Sequence, residues 1–207
     1  MTQTHSPSTL ALQALMRGEA VIFPTDTVFG LGVSVQHAPS PEILYQIKQR
    51  SEHKPIAWLV DSISALDTYG KDIPSSAYVL AKAFWPGPLT IIVKANEKVA
   101  NAFLSERGTV GMRMPGGEIA TDLIARLGCP IAATSANISG HANACSFDEL
   151  EPEILSKVAV ALSDGEVKRG IASTVVDCSL GEHPVLLREG TITESDIASL
   201  LAKSSLV

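Results

Sequence analysis

The sequence predicts one α/β domain built on a mixed, largely parallel sheet with helices packed against it. Three observations carry that prediction. Short apolar runs of strand length alternate with helix-length segments along the whole chain, with no repeat and no low-complexity linker. Of the 207 residues, 45% are hydrophobic and the mean hydropathy is +0.21, so a sizeable core can form and disorder is not expected. Polar residues repeatedly follow the apolar runs, at Thr25/Thr27, Ser135/Asn137, Asp164 and Arg188. Ligands of open α/β sheets gather in such places, beyond the carboxyl ends of strands.

The elements follow in order. Ser8 is placed to cap a first helix reaching about Arg17, with Gly18 as its stop. Ala20 to Phe23 reads as a strand that runs into the turn PTDTVFGLG, Pro24 to Gly32, where Gly30 and Gly32 permit close backbone approach. Ser40 and Pro41 start a helix carrying Ile43, Leu44 and Ile47 on one side. Ile56 to Val60 is a strand, and Ser75 to Phe84 is a helix ended by Trp85-Pro86-Gly87-Pro88. Leu89 to Lys94 is a strand, and Val99 to Leu104 a helical turn. Thr109 to Met114 is a strand, and Glu118 to Leu127 a helix closed by Gly128. Pro130 to Ala133 is a buried strand, and Ser146 to Glu149 reads as a capping box for a helix. Strands at Val158–Leu162, Thr174–Asp177 and Val185–Leu187 precede a last helix running from Thr193 to Leu201.

Composition narrows the function. The net charge of −6 argues against a broad electrostatic footprint for nucleic acid. Three cysteines, odd in number and without CxxC spacing, suit a reducing cytoplasm. Five scattered histidines form no zinc pattern, no apolar run approaches the roughly 20 residues of a membrane span, and the first residues lack the order of a signal peptide. The chain has no GxGxxG, no GxxxxGK[ST] and no GxSxG, so a Rossmann fingerprint, a P-loop and a hydrolase elbow are all missing.

Three stretches carry chemistry. In CPIAATSANISG, Cys129 to Gly140, an apolar strand runs straight into hydroxyls and an amide. Ser135 and Asn137, two residues apart, share one side of an extended backbone, where uncharged groups would orient a phosphate or a metal-bound water. Lys48, Arg50 and Lys54 form the densest positive cluster of an acidic chain. Thr109, Gly111 and Arg113 share one face of a strand, a hydroxyl, a gap and a guanidinium that together suit an anion. Each stretch taken alone reads equally as a polar turn, a solvated helix end or an edge strand.

Taken together, PTDTVFGLG, KQRSEHKPI, PGPLT, TVGMRMP, ATSANISG, STVVD and LREG resemble, in order, the motifs of the YrdC-type threonylcarbamoyl-adenylate synthases. The resemblance covers about residues 8 to 200. It is to the short form, since the chain ends soon after LREG without the extra C-terminal domain of longer members. It implies a twisted sheet and a deep, positively lined cavity in which L-threonine, bicarbonate and ATP, with Mg²⁺, become threonylcarbamoyl-adenylate and pyrophosphate. Downstream threonylcarbamoyl-transferase proteins would then modify tRNAs reading ANN codons, with tRNA itself at most a weak partner of this chain. By motif position Lys48, Arg50 and Lys54 would meet the ATP phosphates, with Lys48 and Arg50 catalytic. Ser135, Asn137, Thr109, Asn143 and Arg188 would be further nucleotide contacts. Thr27, Arg113 and Ser173 would hold L-threonine, with Ala133 offering backbone. No side chain would ligate the metal directly; it would be held through ATP near Ser135 and Asn137. The chain departs from the pattern at Asp26, Phe29, Ser51, Trp58-Leu59 and Ala172. Two other functions fit the same cavity: an RNA-binding module, and a nucleotide-binding regulatory module without catalysis.

Overall fold

A computed structural model of the chain describes residues 6–50 and 55–204. The first helix, α1 (Pro7–Met16), begins two residues earlier than Ser8 would place it, because the Ser6 hydroxyl accepts the Thr9 N–H and Pro7 takes the first helical position. Next come β1 (Val21–Pro24) and β2 (Phe29–Ser34), paired antiparallel from Pro24 opposite Phe29 to Val21 opposite Gly32. The stretch read as a turn is thus a hairpin whose second strand contains both glycines. Their missing side chains make room for core: a Cβ at Gly30 would stand 2.9 Å from the Phe23 ring, and one at Gly32 would stand 2.6 Å from Ile131.

Helix α2 (Glu42–Lys48) stops where Gln49 turns left-handed, with φ of 52°. The chain continues through β3 (Ala57–Leu59), α3 (Ala65–Tyr69), α4 (Ser75–Phe84), β4 (Leu89–Lys94) and β5 (Thr109–Arg113). A 3-10 turn at Asn101–Phe103 stands for the expected helical turn. Gly128, at φ +69°, ends α5 (Glu118–Leu127) and leads to β6 (Ile131–Ser135). The expected capping box is a single 3-10 turn, Phe147–Glu149. The Glu149 carboxylate reaches the Cys145 N–H, not that of Ser146, so no longer helix grows from it. Helix α6 (Pro152–Leu155), β7 (Val160–Ala161), β8 (Thr174–Asp177), β9 (Val185–Arg188) and α7 (Glu194–Ser204) complete the order.

The described strands form one sheet, β7-β1-β2-β6-β3-β5-β4-β8-β9. It is mixed, as expected. The β1–β7, β3–β5 and β4–β8 pairs are parallel, and the other five are antiparallel. This is a smaller parallel share than the interleaving suggests, because short connections such as the β1–β2 turn return the chain beside itself.

Strand alternation splits the core in two. One face turns Ile22, Leu31, Trp58, Ile91, Met112 and Val176 toward α2, α3, α4, α6 and α7. On the other face, α1 (Ala11, Ala14, Leu15) and α5 (Leu123, Ile124, Leu127) cover Val21, Phe23, Leu59, Ile131 and Ala133. That second cover stops at β3. Beyond it β5, β4 and β8 turn Thr109, Gly111, Arg113, Thr90, Ile92 and Val175 into a hollow.

Candidate active site

The hollow has a volume of about 240 Å³. Its floor is the uncovered part of the sheet. Its walls come from the β1–β2 turn (Thr25, Val28), the end of β6 (Ala133, Thr134, Ser135), Pro55 to Ala57, and Ser173. Three guanidinium groups line it among the described residues, those of Arg50, Arg113 and Arg188, and the described lining contains no carboxylate, imidazole or thiol.

Each guanidinium is held in place. Arg113, at the end of β5, is buried. Its Nε donates to the Gly87 carbonyl at 3.0 Å and its Nη1 to the Thr27 hydroxyl at 2.9 Å. Its Nη2 pairs with the Asp26 carboxylate at 2.5 Å, and the same oxygen accepts the Gly116 N–H at 2.9 Å. Arg188, at the end of β9, grips the Ser173 carbonyl through Nε (3.0 Å) and Nη2 (2.7 Å) and reaches the Ser173 hydroxyl at 3.2 Å. That hydroxyl also meets the Thr90 hydroxyl at 2.8 Å. Arg50 donates from Nη1 to the Thr134 hydroxyl at 2.9 Å and from Nη2 to the Pro55 carbonyl at 3.3 Å. Its Nε is buried with no hydrogen-bond partner among the described residues.

The electrostatics are set for an anion. Burial pulls all three arginines below their ordinary pKa. At Arg113 the Asp26 carboxylate opposes that pull and the Arg188 charge adds to it; at Arg188 the Arg50 charge adds to burial. The three cations therefore sense one another in a partly desolvated space, and a bound anion would relieve both strains. Asp26 largely offsets Arg113, so the uncompensated charge is on the Arg50 and Arg188 side.

The sequence-predicted residues separate into groups. Arg50, Thr109, Arg113, Ala133, Ser135, Ser173 and Arg188 line the hollow. The Thr27 side chain stands behind it, bonded to Arg113 and to Thr25. Lys48 and Asn137 are beneath the end of β6, and neither is among the lining residues. The Lys48 ammonium donates to the carbonyls of Ser135 and Asn137 at 2.5 Å each and to Asn137 Oδ1 at 3.0 Å. Burial, then the Arg50 charge, pushes its pKa down to about 8, with Glu151 opposing. Asn137 Oδ1 also accepts the Ser135 hydroxyl at 2.6 Å, and its amide donates to the His141 carbonyl at 2.7 Å. The extended backbone expected across Ser135 and Asn137 ends at Ser135, so the two side chains face each other and not a common ligand. Asn143 donates to the Gly170 carbonyl at 2.9 Å and is not among the lining residues. Lys54 lies outside the described residues.

Sequence reasoning missed Thr90 and Thr134 as lining groups and Asp26 as the partner of Arg113. Thr90 had a legible signal. In a strand whose Leu89, Ile91 and Val93 are core, it must face the other way.

Such a site defines a class: an α/β protein with a cationic hollow, suited to anions, on a bare patch of its sheet. Comparison narrows it. Residues 13–190 match the Sua5/YciO/YrdC family model, described as "Telomere recombination". The chain belongs to this family. It is 35% identical over 94% of its length to a threonylcarbamoyl-AMP synthase of Pyrococcus abyssi, and 34% identical over 96% to one of Bacillus subtilis. It spans only 57% and 58% of the length of those relatives. A Mycobacterium tuberculosis relative is 33% identical over 92% of this chain and is itself 87% covered. The crystal structure of P. abyssi Sua5 complexed with L-threonine superposes with a TM-score of 0.87 at 35% identity, covering 93% of this chain and 56% of that one. Escherichia coli YciO superposes at 0.79 with 27% identity and 89% of both chains covered. No helix among the described residues is long and apolar enough to cross a membrane.

Proposed function

We propose that this chain is a threonylcarbamoyl-adenylate synthase. It joins L-threonine, bicarbonate and ATP into threonylcarbamoyl-adenylate and releases pyrophosphate, a nucleotidyl transfer. The observation that carries this reading is the division of one hollow into two chemistries. At one end Arg113, steadied by Asp26 and Thr27, stands near Ser173, a polar nest suited to a small zwitterion. At the other end Arg50 and Ser135 border a cationic wall suited to phosphates. The L-threonine named in the P. abyssi complex supports the first assignment.

The chemistry asks little of the protein beyond placement and charge. The threonine amine takes up CO₂, drawn from bicarbonate, and loses a proton to give a carbamate. A carbamate oxygen then attacks the α-phosphorus in line. A P–O bond forms as the bond to pyrophosphate breaks, and that electron pair leaves with pyrophosphate. The carbamate is already an anion, which agrees with a described lining free of carboxylate, imidazole and thiol. Arg50 stabilises charge that moves toward the leaving group, while Arg188, fixed on Ser173, stabilises charge at the junction of the two substrates; their fixed hydrogen bonds make both preorganised donors. Lys48 holds the Ser135–Asn137 segment in shape from below, as a positioning residue.

The residues fit a magnesium ion carried on the triphosphate. The lining there offers hydroxyls and no carboxylate, and no cluster of three or more metal-ligating side chains occurs among the described residues. The Ser135 hydroxyl would hold its water shell, and the ion would neutralise phosphate charge. The product would pass in the cytoplasm to threonylcarbamoyl-transferase proteins acting on ANN-reading tRNAs. The test is pyrophosphate release: it should require L-threonine, bicarbonate and ATP together. Release independent of L-threonine, or none at all, would sink the reading.

A further inference from the structure

Two glycines border the hollow, and the fold needs only one of them. A Cβ at Gly30 would press on the Phe23 ring at 2.9 Å, so packing accounts for that glycine. At Gly111 a Cβ would meet only Thr90 Cγ2 at 3.4 Å and Ile92 Cγ1 at 3.5 Å, ordinary contacts, with nothing else among the described residues within 4 Å. Its φ is not positive, so its backbone suits any residue. Yet it occupies the middle of β5, an inner strand of the sheet, opposite Ile92 of β4, where glycine is a poor choice for stability. A side chain added there would rise into the hollow from the floor between Thr109 and Arg113. Those two are about 6.8 Å away on either side along an extended strand.

We propose that Gly111 keeps the floor of the hollow clear for the junction that forms between the two substrates. Its bare backbone is the bed on which the reacting ends of the two substrates meet. This inference rests on the synthase reading, which puts the amino acid at Arg113 and the nucleotide toward Thr109 and Arg50. The group lying over Gly111 is then the carbamoyl–phosphate junction, a mixed anhydride wider than either substrate's own end. A methyl at this position leaves each subsite intact and denies the junction its room.

The experiment compares Gly111→Ala and Gly111→Val with the parent chain. Three quantities are measured: the melting temperature, the binding of L-threonine alone and of ATP alone, and the rate of pyrophosphate release. Both variants should melt no lower than the parent and bind each substrate singly much as the parent does. Turnover should fall about tenfold for Ala and about a hundredfold for Val, as expected for an ångström-scale misplacement of reacting groups. Parent-like turnover in both variants overturns the proposal. So does a lowered melting temperature, because the fold would then need the glycine. Loss of one substrate's binding in step with turnover overturns the junction assignment. A parent chain without turnover overturns the synthase reading itself, and this inference with it.

Discussion

The two halves of one sheet face are made by the same alternation of side chains and serve opposite ends. On the half formed by β1, β6 and β3, the residues turned outward are Val21, Phe23, Ile131, Ala133 and Leu59, and α1 and α5 close over them. On the half formed by β5, β4 and β8, the residues in equivalent orientation are Thr109, Gly111, Arg113, Thr90, Ile92 and Val175, and no described helix packs there. The difference teaches how a site is carved without a special backbone. A helix docks where it can exclude water from apolar surface. It gains nothing by burying arginines that need partners. The hollow is the place where the sheet stops offering a reason to be covered.

Substitutions on the two halves should therefore separate activity from stability. The largest effect is expected on the open half. Arg50→Ala or Arg188→Ala should cut pyrophosphate release by about a thousandfold, ~4 kcal/mol in the barrier, since each removes fixed donors to developing charge. Their melting temperatures should stay level or rise, because each relieves repulsion among partly desolvated cations. A variant that loses activity only by unfolding would break the comparison. On the closed half Phe23→Ala should do the reverse. It should destabilise by about 3 kcal/mol in chemical denaturation, through a cavity against Gly30 and Gly32. Turnover below its melting range should be near the parent value.

Two smaller effects would sharpen the boundary. Asp26→Asn keeps the shape but removes the charge paired with Arg113; the KM for L-threonine should change while that for ATP does not, with a stability cost of about 1–3 kcal/mol. A shift in both constants would argue that the subsites are not divided as described. The smallest effect concerns Lys48. Its folded-state pKa, about 8, is below the ordinary lysine value of 10.5, so the unfolded chain binds the extra proton between those two pH values. The Lys48 contribution to stability should therefore rise as pH climbs from about 8 toward 10.5. Melting curves at pH 7.5, 8.5 and 9.5 should show a more upward trend in the parent than in Lys48→Met. Parallel trends would show that the ammonium is not the titrating group.

Much of the site was legible because strand periodicity is rigid. Once Val110 and Met112 are core, Thr109, Gly111 and Arg113 have one direction to face. The less legible parts lie where the backbone leaves regular structure. Asn137 follows the end of β6, and its amide folds back on Ser135 and His141. The hairpin glycines read as places of close backbone approach, and what comes close to them is Phe23 and Ile131, side chains from neighbouring strands.

By itself the sequence determined where most of the strands and helices fall, which strand faces are apolar, and which polar groups end up near strand ends. Those properties follow from local periodicity and side-chain chemistry, and distance along the chain is enough to express them. Only the tertiary structure decided that Arg50 enters the hollow while Lys48, two residues earlier, is locked beneath it. The left-handed turn at Gln49 and the carbonyls at the end of a strand nearly 90 residues away send the two cations in different directions. Which oxygen a buried ammonium finds is set by packing between distant segments, and no local pattern encodes it.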